Sequence, residues 1–447
     1  MVSAILKNIF YTQKTKEDET VTHKSKNKPT SKPTKQSTAQ NFDVLVIGGG
    51  LAGGTLSLAL AGGGLKVACV DREDPSLWTA PTFDGRASAI AISSQRVLKA
   101  VGIWDEIGNE TAPINDIRVA DGHSPLFLHY DHRELGGEPF GYMVENRSIR
   151  KALQVLLPTE KNIKHFAPAE VSNLERDETG VRAKLNDGSK ITASLVIGCE
   201  GRNSPTRENA GIKLTKWSYN QTGIVCTVEH EHPHNFCAQE HFLPSGPFAI
   251  LPLAGTAEKP GCRSSIVWTE RSDLAPIMMD LSDDDFLEEL QLRFGDFLGE
   301  LKIIGPRFAY PLTLQFAASY SADRLALVAD AAHGMHPIAG QGLNMGLRDV
   351  AVIAEVLTEA KKAGLDIGSA ETLEKYARWR NFDNTLMLAV TDALTHLFSN
   401  DIKPLKFVRD IGLATVNQIP PLKKLFMRHA MGTVGELPKL MRGENLN

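Results

Sequence analysis

"FDVLVIGGGLAGGTLSLALAGGGLKVACVDRE", residues 42–73, reads as an apolar strand, a glycine turn, a helix of small and apolar residues, and a second apolar strand. Gly48, Gly50 and Gly53 supply G-x-G-x-x-G at the passage from strand to helix. The first glycine permits a tight turn, the second lets the backbone approach a pyrophosphate, and the third lets helix and strand pack closely. The helix N-terminus then faces the phosphates. Asp71 closes the second strand, where an acid accepts hydrogen bonds from ribose hydroxyls. The stretch predicts an α/β, Rossmann-like fold that binds a dinucleotide.

The fingerprint alone does not separate NAD from FAD. Two later segments do. "ITASLVIGCEGRNSPTR" (191–207) is another apolar strand, ending in an acid, a glycine, a serine and an arginine. "LALVADAAHGMHPIAGQGLNMGLRD" (325–349) is a third, ending in Asp330 and running into Gly340, Gly342, Asn344 and Gly346. A second glycine-rich helix start exposes backbone N–H groups to an anionic or carbonyl-rich ligand. An extended cofactor gripped at both ends fits that arrangement.

In this order the three motifs resemble the group A FAD-dependent aromatic hydroxylases of the para-hydroxybenzoate hydroxylase fold. The second segment is similar to the family's D-G-x-x-S-x-x-R, and the third to its G-D-A-A-H-x-x-x-P-x-x-G-Q-G-x-N. "HPIAGQGLNMGLRD", "DGRASAIAISS" (84–94), "GPFAILPL" (246–253), "YPL" (310–312) and "MRHAMGTVGELPKLMRG" (427–443) resemble the ubiquinone-biosynthesis hydroxylases within that family. The resemblance covers residues 41–443. Two residues depart from it: Glu200 stands where the family has Asp, and Ala329 replaces the glycine before Asp330.

The resemblance implies that Gly48, Gly50, Gly53 and Asp71 hold the ADP half of FAD, with Arg86 near the pyrophosphate and flavin. Asn146 falls where relatives place a polar side chain on FAD; a simple helix cap is the alternative. Asp330 meets the ribitol, while Gly340, Gln341, Gly342 and Asn344 present their backbone to the flavin. Pro337 shapes the wall where substrate and oxygen meet. Glu200, Gly201, Ser204 and Arg207 form the motif associated with NAD(P)H as well as FAD. The implied reaction is reduction of FAD by NAD(P)H, addition of O2, and transfer of oxygen from a flavin hydroperoxide to the ring of a polyprenylated phenol in ubiquinone biosynthesis. The cofactor carries that chemistry, and no catalytic base is identified. Two other readings stand beside it: a same-fold hydroxylase or epoxidase acting on a soluble substrate, and a non-catalytic FAD-binding assembly subunit.

Composition agrees with a globular protein: 42% of the 447 residues are apolar and 23% charged. The net charge of −4 gives no reason to expect nucleic acid. Residues 1–40 hold eight Lys against three acids, and this basic, polar tail is expected to be disordered. It lacks the h-region of a secretory signal, and no stretch approaches the ~18 apolar residues of a membrane span. Five cysteines without a C-x-x-C suggest reduced thiols in a cytoplasmic protein rather than disulfides or a zinc site. His230, His232 and His234 alternate as a metal site might, but a polar strand and turn is the preferred reading. No metal is expected.

The expected organisation is a discontinuous FAD-binding domain (41–117, 143–215 and 312–360). An inserted, mostly antiparallel substrate sheet (118–142 and 216–311) and a C-terminal helical region (361–447) complete it. Residues 96–107 and 281–298 read as amphipathic helices, the latter capped by Ser282. Lys403, Lys406, Lys423, Lys424 and Arg428 give the C-terminal region a basic-apolar pattern. It either packs on the FAD domain or touches the inner face of a membrane, where other quinone-biosynthesis proteins would be neighbours.

Overall fold

Parallel strands buried on both faces explain the apolar runs that open each motif. The computed structural model describes residues 39–78, 80, 86–122, 127–334, 341–381 and 419–447. In its first sheet, Gln40–Ile47 lies between Lys190–Gly198 and Val67–Val70, parallel to both. Leu325–Leu327 adds in parallel beyond Lys190–Gly198, and Ile163–Phe166 beyond Val67–Val70. Val44, Leu45, Val46, Val67, Leu195 and Leu325 are fully buried. The register aligns Ile47 with Val70 and Gly198, and Gly198 with Leu327. The three motifs therefore leave the sheet side by side at its carboxyl edge, where open α/β sheets bind ligands.

The second sheet has the order His333–Gly334, Leu301–Ala317, Leu214–His230, Arg263–Arg271, Gly246–Leu253, Cys237–Leu243, Asp116–Asp121 and Phe127–Asp131. Its pairs are antiparallel except Cys237–Leu243 with Asp116–Asp121. One face, carrying Ile224, Cys226, Ile266 and Trp268, is buried against Phe286, Leu290 and Phe294 of the helix Asp283–Phe294. Ser282 caps that helix, its hydroxyl accepting from the Asp285 N–H at 3.1 Å.

Two expectations need correction. The expected helix over 96–107 is two helices, Ile92–Ala100 and Ile103–Ile107. Gly102 breaks them apart at φ +82, a left-handed conformation that favours glycine. Within the basic C-terminal pattern, Lys403 and Lys406 lie outside the described residues. Lys423 is buried and pairs with Glu134 at 2.7 Å, so its charge serves packing and not an outer surface. Lys424 and Arg428 remain exposed on the helix Pro420–Ala430, beside exposed Leu425 and Phe426. No helix among the described residues is long and apolar enough to cross a membrane.

The alternating histidines are absorbed by the second sheet. His230 ends the strand Leu214–His230, with Nδ1 2.7 Å from the His232 carbonyl and Nε2 3.0 Å from Ser264 Oγ. His234 places Nε2 3.0 Å from the Leu253 carbonyl, and its Nδ1 accepts from the Phe236 N–H. Among the described residues no group of three or more His, Cys, Asp or Glu is placed to hold a metal. Burial pushes His230 and His234 below the ordinary imidazole range, so folding favours their neutral forms. The unfolded chain then binds more protons at these two sites once the pH falls below about 6.5, so their contribution to stability is full above that value and declines below it. Urea denaturation between pH 8 and pH 5 should show the decline, and His230→Gln with His234→Gln should reduce its slope. An unchanged slope in the double variant would contradict this assignment.

Candidate active site

At the carboxyl edge of the parallel sheet lies a cavity of about 1390 Å³ that runs from Asp71 past Gly48 and Gly50 to Asp330 and Gly342. At one end Gly48 turns at φ +96, and a Cβ there would sit 2.6 Å from the Cys199 carbonyl oxygen. A Cβ on Gly53 would stand 1.8 Å from the Gly48 oxygen, so no other residue fits beneath the turn. No side chain caps the following helix, Leu51–Gly62, which leaves its first N–H groups for a ligand. The Asp71 carboxylate accepts from Gly49 N at 2.6 Å and from Glu73 N at 2.8 Å. Each of its oxygens keeps a further lone pair for the cavity it lines. Burial raises Cys69 to about 12 and Cys199 well above its usual value, so the thiols beside this turn are neutral.

Arg86 and Asn146 both face the cavity. Asn146 is the first residue of the helix Asn146–Thr159 and not its cap: the cap position is Glu145, whose side chain makes no capping bond. The Asn146 side chain is buried and accepts from Ser88 Oγ at 2.6 Å. The helix-cap alternative thus fails. Arg150, four residues on and on the same helix face, also lines the cavity; that i,i+4 spacing was the signal for it in the sequence.

The Glu200 segment divides in two. Glu200 and Gly201 line the cavity, whereas Ser204 and Arg207 are buried behind it. Glu200 spends its extra methylene on reaching forward: its carboxylate accepts from Ser204 Oγ at 2.9 Å, from Thr206 N at 3.2 Å, and from the Thr206 hydroxyl. The Arg207 guanidinium donates to the carbonyls of Ala331 (3.0 Å) and Arg202 (3.1 Å). It acts within the protein and does not face the cavity.

The turn that presents Asp330 is held at almost every backbone group. The Tyr376 hydroxyl donates to Leu327 O (2.8 Å), and Val328 N donates to Gly198 O (3.0 Å). Ala329 N donates to the Asp349 carboxylate (2.9 Å), and Ala332 N to Ala329 O (2.8 Å). Gln315 donates to Asp330 O (3.3 Å), and Ala317 N to Ala332 O (2.7 Å). Ala329, in the family's glycine position, keeps the left-handed conformation at φ +56. Ala329 and Asp330 of this turn line the cavity, and the Asp330 carboxylate lies 3.6 Å from the Arg202 guanidinium, which also donates to Thr313 Oγ1 at 2.8 Å.

Asp349 anchors this turn from below. It is fully buried, 2.6 Å from Arg380 Nε and 2.6 Å from His333 Nε2. Burial by itself raises a carboxyl pKa; here the facing charges of His333 and Arg380 and their hydrogen bonds outweigh it and hold Asp349 well below the ordinary carboxylate range. His333 therefore partners Asp349 and not Asp330. Nothing local in the sequence announces Asp349, Arg380 or Arg202, whose partners are distant in the chain.

Gly342 lines the cavity at the start of the helix Gln341–Lys362. The Asn344 side chain clamps that helix to the strand Ala87–Ala91, donating to Ala89 O (2.8 Å) and accepting from Ala91 N (2.9 Å). Pro337, Gly340 and His336 lie outside the described residues, as does the side chain of Gln341. From the second sheet, Gly223, Val225, Val267, Tyr310 and Leu312 close the same cavity. The Arg86 guanidinium lies over the Tyr310 ring, 5.1 Å from its centroid.

Comparison with known proteins agrees with this geometry. Residues 41–382 match a family described as "FAD binding domain". The chain is 55% identical over 404 residues to a ubiquinone hydroxylase, UbiL, of Rhodospirillum rubrum, covering 90% of this chain and 92% of that protein. It is 32% identical over 397 residues to the 3-demethoxyubiquinol 3-hydroxylase of Escherichia coli, covering 88% of this chain and 100% of that protein. Among solved structures, p-nitrophenol 4-monooxygenase of Pseudomonas putida shares the fold. That match has a TM-score of 0.72 at 17% identity and covers 89% of this chain and 100% of that one.

The buried charge cluster gives a direct test. Asp349→Asn leaves Arg380 without a full counter-charge and should cost about 3–5 kcal/mol of stability in urea denaturation. FAD affinity, followed by quenching of its fluorescence on titration, should fall with it. Unaltered stability together with unaltered FAD affinity would remove Asp349 from this role.

Proposed function

The chain belongs to the FAD-binding-domain family of flavin-dependent monooxygenases, and from that premise we propose that it hydroxylates the ring of a polyprenylated phenol in ubiquinone biosynthesis, using NAD(P)H and O2. One observation carries the reading. The cavity that begins at the dinucleotide fingerprint continues to the face of the second sheet, which supports cofactor and aromatic ring lying side by side in one space.

The residues present fit FAD. Gly48, Gly50 and Gly53 bare the first turn of a helix for the pyrophosphate, Asp71 takes the adenosine ribose, and Arg86 and Arg150 supply cations to the phosphates. Asn146 adds a polar contact, Asp330 accepts from the ribitol hydroxyls, and Gly342 brings the backbone of the helix Gln341–Lys362 against the flavin. Gly340, Gln341, Asn344 and Pro337 belong to that same contact in our reading. When bound, FAD supplies the redox chemistry: it takes electrons from the reductant and activates oxygen for the ring. The protein orients the ring and keeps water from the reacting atoms. Glu200 and Gly201 face the reductant's approach, while Ser204 and Arg207 position them and the Asp330 turn from inside. We assign 41–117, 143–215 and 312–360 to FAD, and 118–142 and 216–311 to the substrate. Lys424, Leu425, Phe426 and Arg428 would meet a membrane surface on the cytoplasmic side, where such a phenol dissolves.

The test is oxidation of NAD(P)H by the FAD-loaded protein with and without a short-chain prenylated phenol. Stimulation is expected; no stimulation by any such phenol, with normal quinone levels in cells lacking the gene, would contradict the reading. Asp330→Ala should weaken FAD binding by ~1.5–3 kcal/mol, as expected for a lost charged acceptor. Stoichiometric FAD retained on dilution would contradict that role.

A further inference from the structure

We propose that Gly223 is the size filter of the substrate chamber, a notch in the sheet that receives the substituted edge of the aromatic ring; the inference rests on the functional reading above. Gly223 lies inside the 17-residue strand Leu214–His230, in register with Tyr310 on the strand Leu301–Ala317. Cross-strand partners point to the same side, and here that side is the cavity. The opposite side of the strand carries Ile224 and Cys226 into the core.

Glycine is costly at such a position, because it gives a strand no side chain to pack and the most backbone freedom to lose. The usual reason for one is a left-handed backbone, and Gly223 is not among the residues of positive φ. Close approach of a ligand is another reason, and Gly223 lies between two irregularities of the strand pair and lines the cavity. A Cβ on Gly223 would stand 3.3 Å from Leu312 Cδ2 and 3.9 Å from the Tyr310 carbonyl oxygen, tight but without a backbone clash, and would narrow the cavity that Val225, Val267, Tyr310 and Leu312 also line. Leu312 and Val225 are buried, and Arg86 holds the Tyr310 ring from above. A ring lying on this face meets side chains on every side except over Gly223, so its bulkiest substituent is directed there.

The test compares binding of two phenols to FAD-loaded protein, read from perturbation of the flavin absorbance without reductant. One phenol is small and unsubstituted; the other has a short prenyl chain and further ring substituents. Gly223→Val suits a strand by propensity and should retain FAD. Its Kd for the substituted phenol should rise roughly 10–100-fold, the scale on which extra methylenes are discriminated, while the small phenol binds nearly as before. Gly223→Ala should shift Kd in the same direction by less, which keeps the test usable if the valine variant does not fold. Adding Leu312→Ala should restore binding. Equal losses for both phenols, or no loss for either in both variants, would overturn the filter. Wild-type protein that binds no prenylated phenol would instead overturn the functional reading.

Discussion

A single buried carboxylate, Asp349, holds the turn on which the site is built. It binds the Ala329 N–H, the Arg380 guanidinium and His333 at once, with no exposure to water. Desolvating such a charge is expensive, and it is tolerated only because each of these partners faces it. What the arrangement secures is backbone geometry. Ala329 sits in a left-handed conformation that costs a non-glycine residue about 1–2 kcal/mol. Its Cβ also lies where a side chain on Gly346 would fall, at 2.8 Å, so helix and turn are fitted to each other. The turn can hold this conformation because its N–H and the groups around it are committed elsewhere.

That constraint links the two halves of the molecule. Gln315 and Ala317, from the strand Leu301–Ala317 of the second sheet, bond the same turn that Gly198 of the first sheet and Tyr376 of a helical segment also fix. Arg207 ties the Glu200 loop to Ala331 of the turn. A displacement at any of these would move Asp330 relative to both the fingerprint and the cavity-lining face of the second sheet. The carboxyl edge of the parallel sheet brings the motifs together; the hydrogen bonds around 327–332 orient them.

How much of this could be read in the sequence follows from range. The fingerprint, Asp71, the Ser282 cap and the strand ends are local patterns, with partners within a turn or one crossover, and the fold class followed from them. Asp349, Arg380 and Arg202 act across the fold on groups far along the chain, and no periodicity marks them. The histidines near Asp330 drew attention by composition, yet His333 serves Asp349, and the rings of His230 and His234 are consumed by carbonyls, a hydroxyl and an N–H. Gly102 broke a pattern that amphipathicity alone reads as continuous. Lys423 looked like surface charge until Glu134, on a distant turn, accounted for it. Gly223 carries no signal at all in the sequence, since its meaning depends on the tyrosine opposite.

Hydroxylation of the proposed kind requires that oxygen from O2 reaches an aromatic ring held against the second sheet. Mass spectrometry of the product formed from a short-chain prenylated phenol, with isotope-labelled O2 in one reaction and labelled water in another, reads that transfer directly. Label from O2 in the hydroxylated ring, and none from water, is the predicted result. Consumption of O2 and reductant with only unmodified phenol recovered would contradict it.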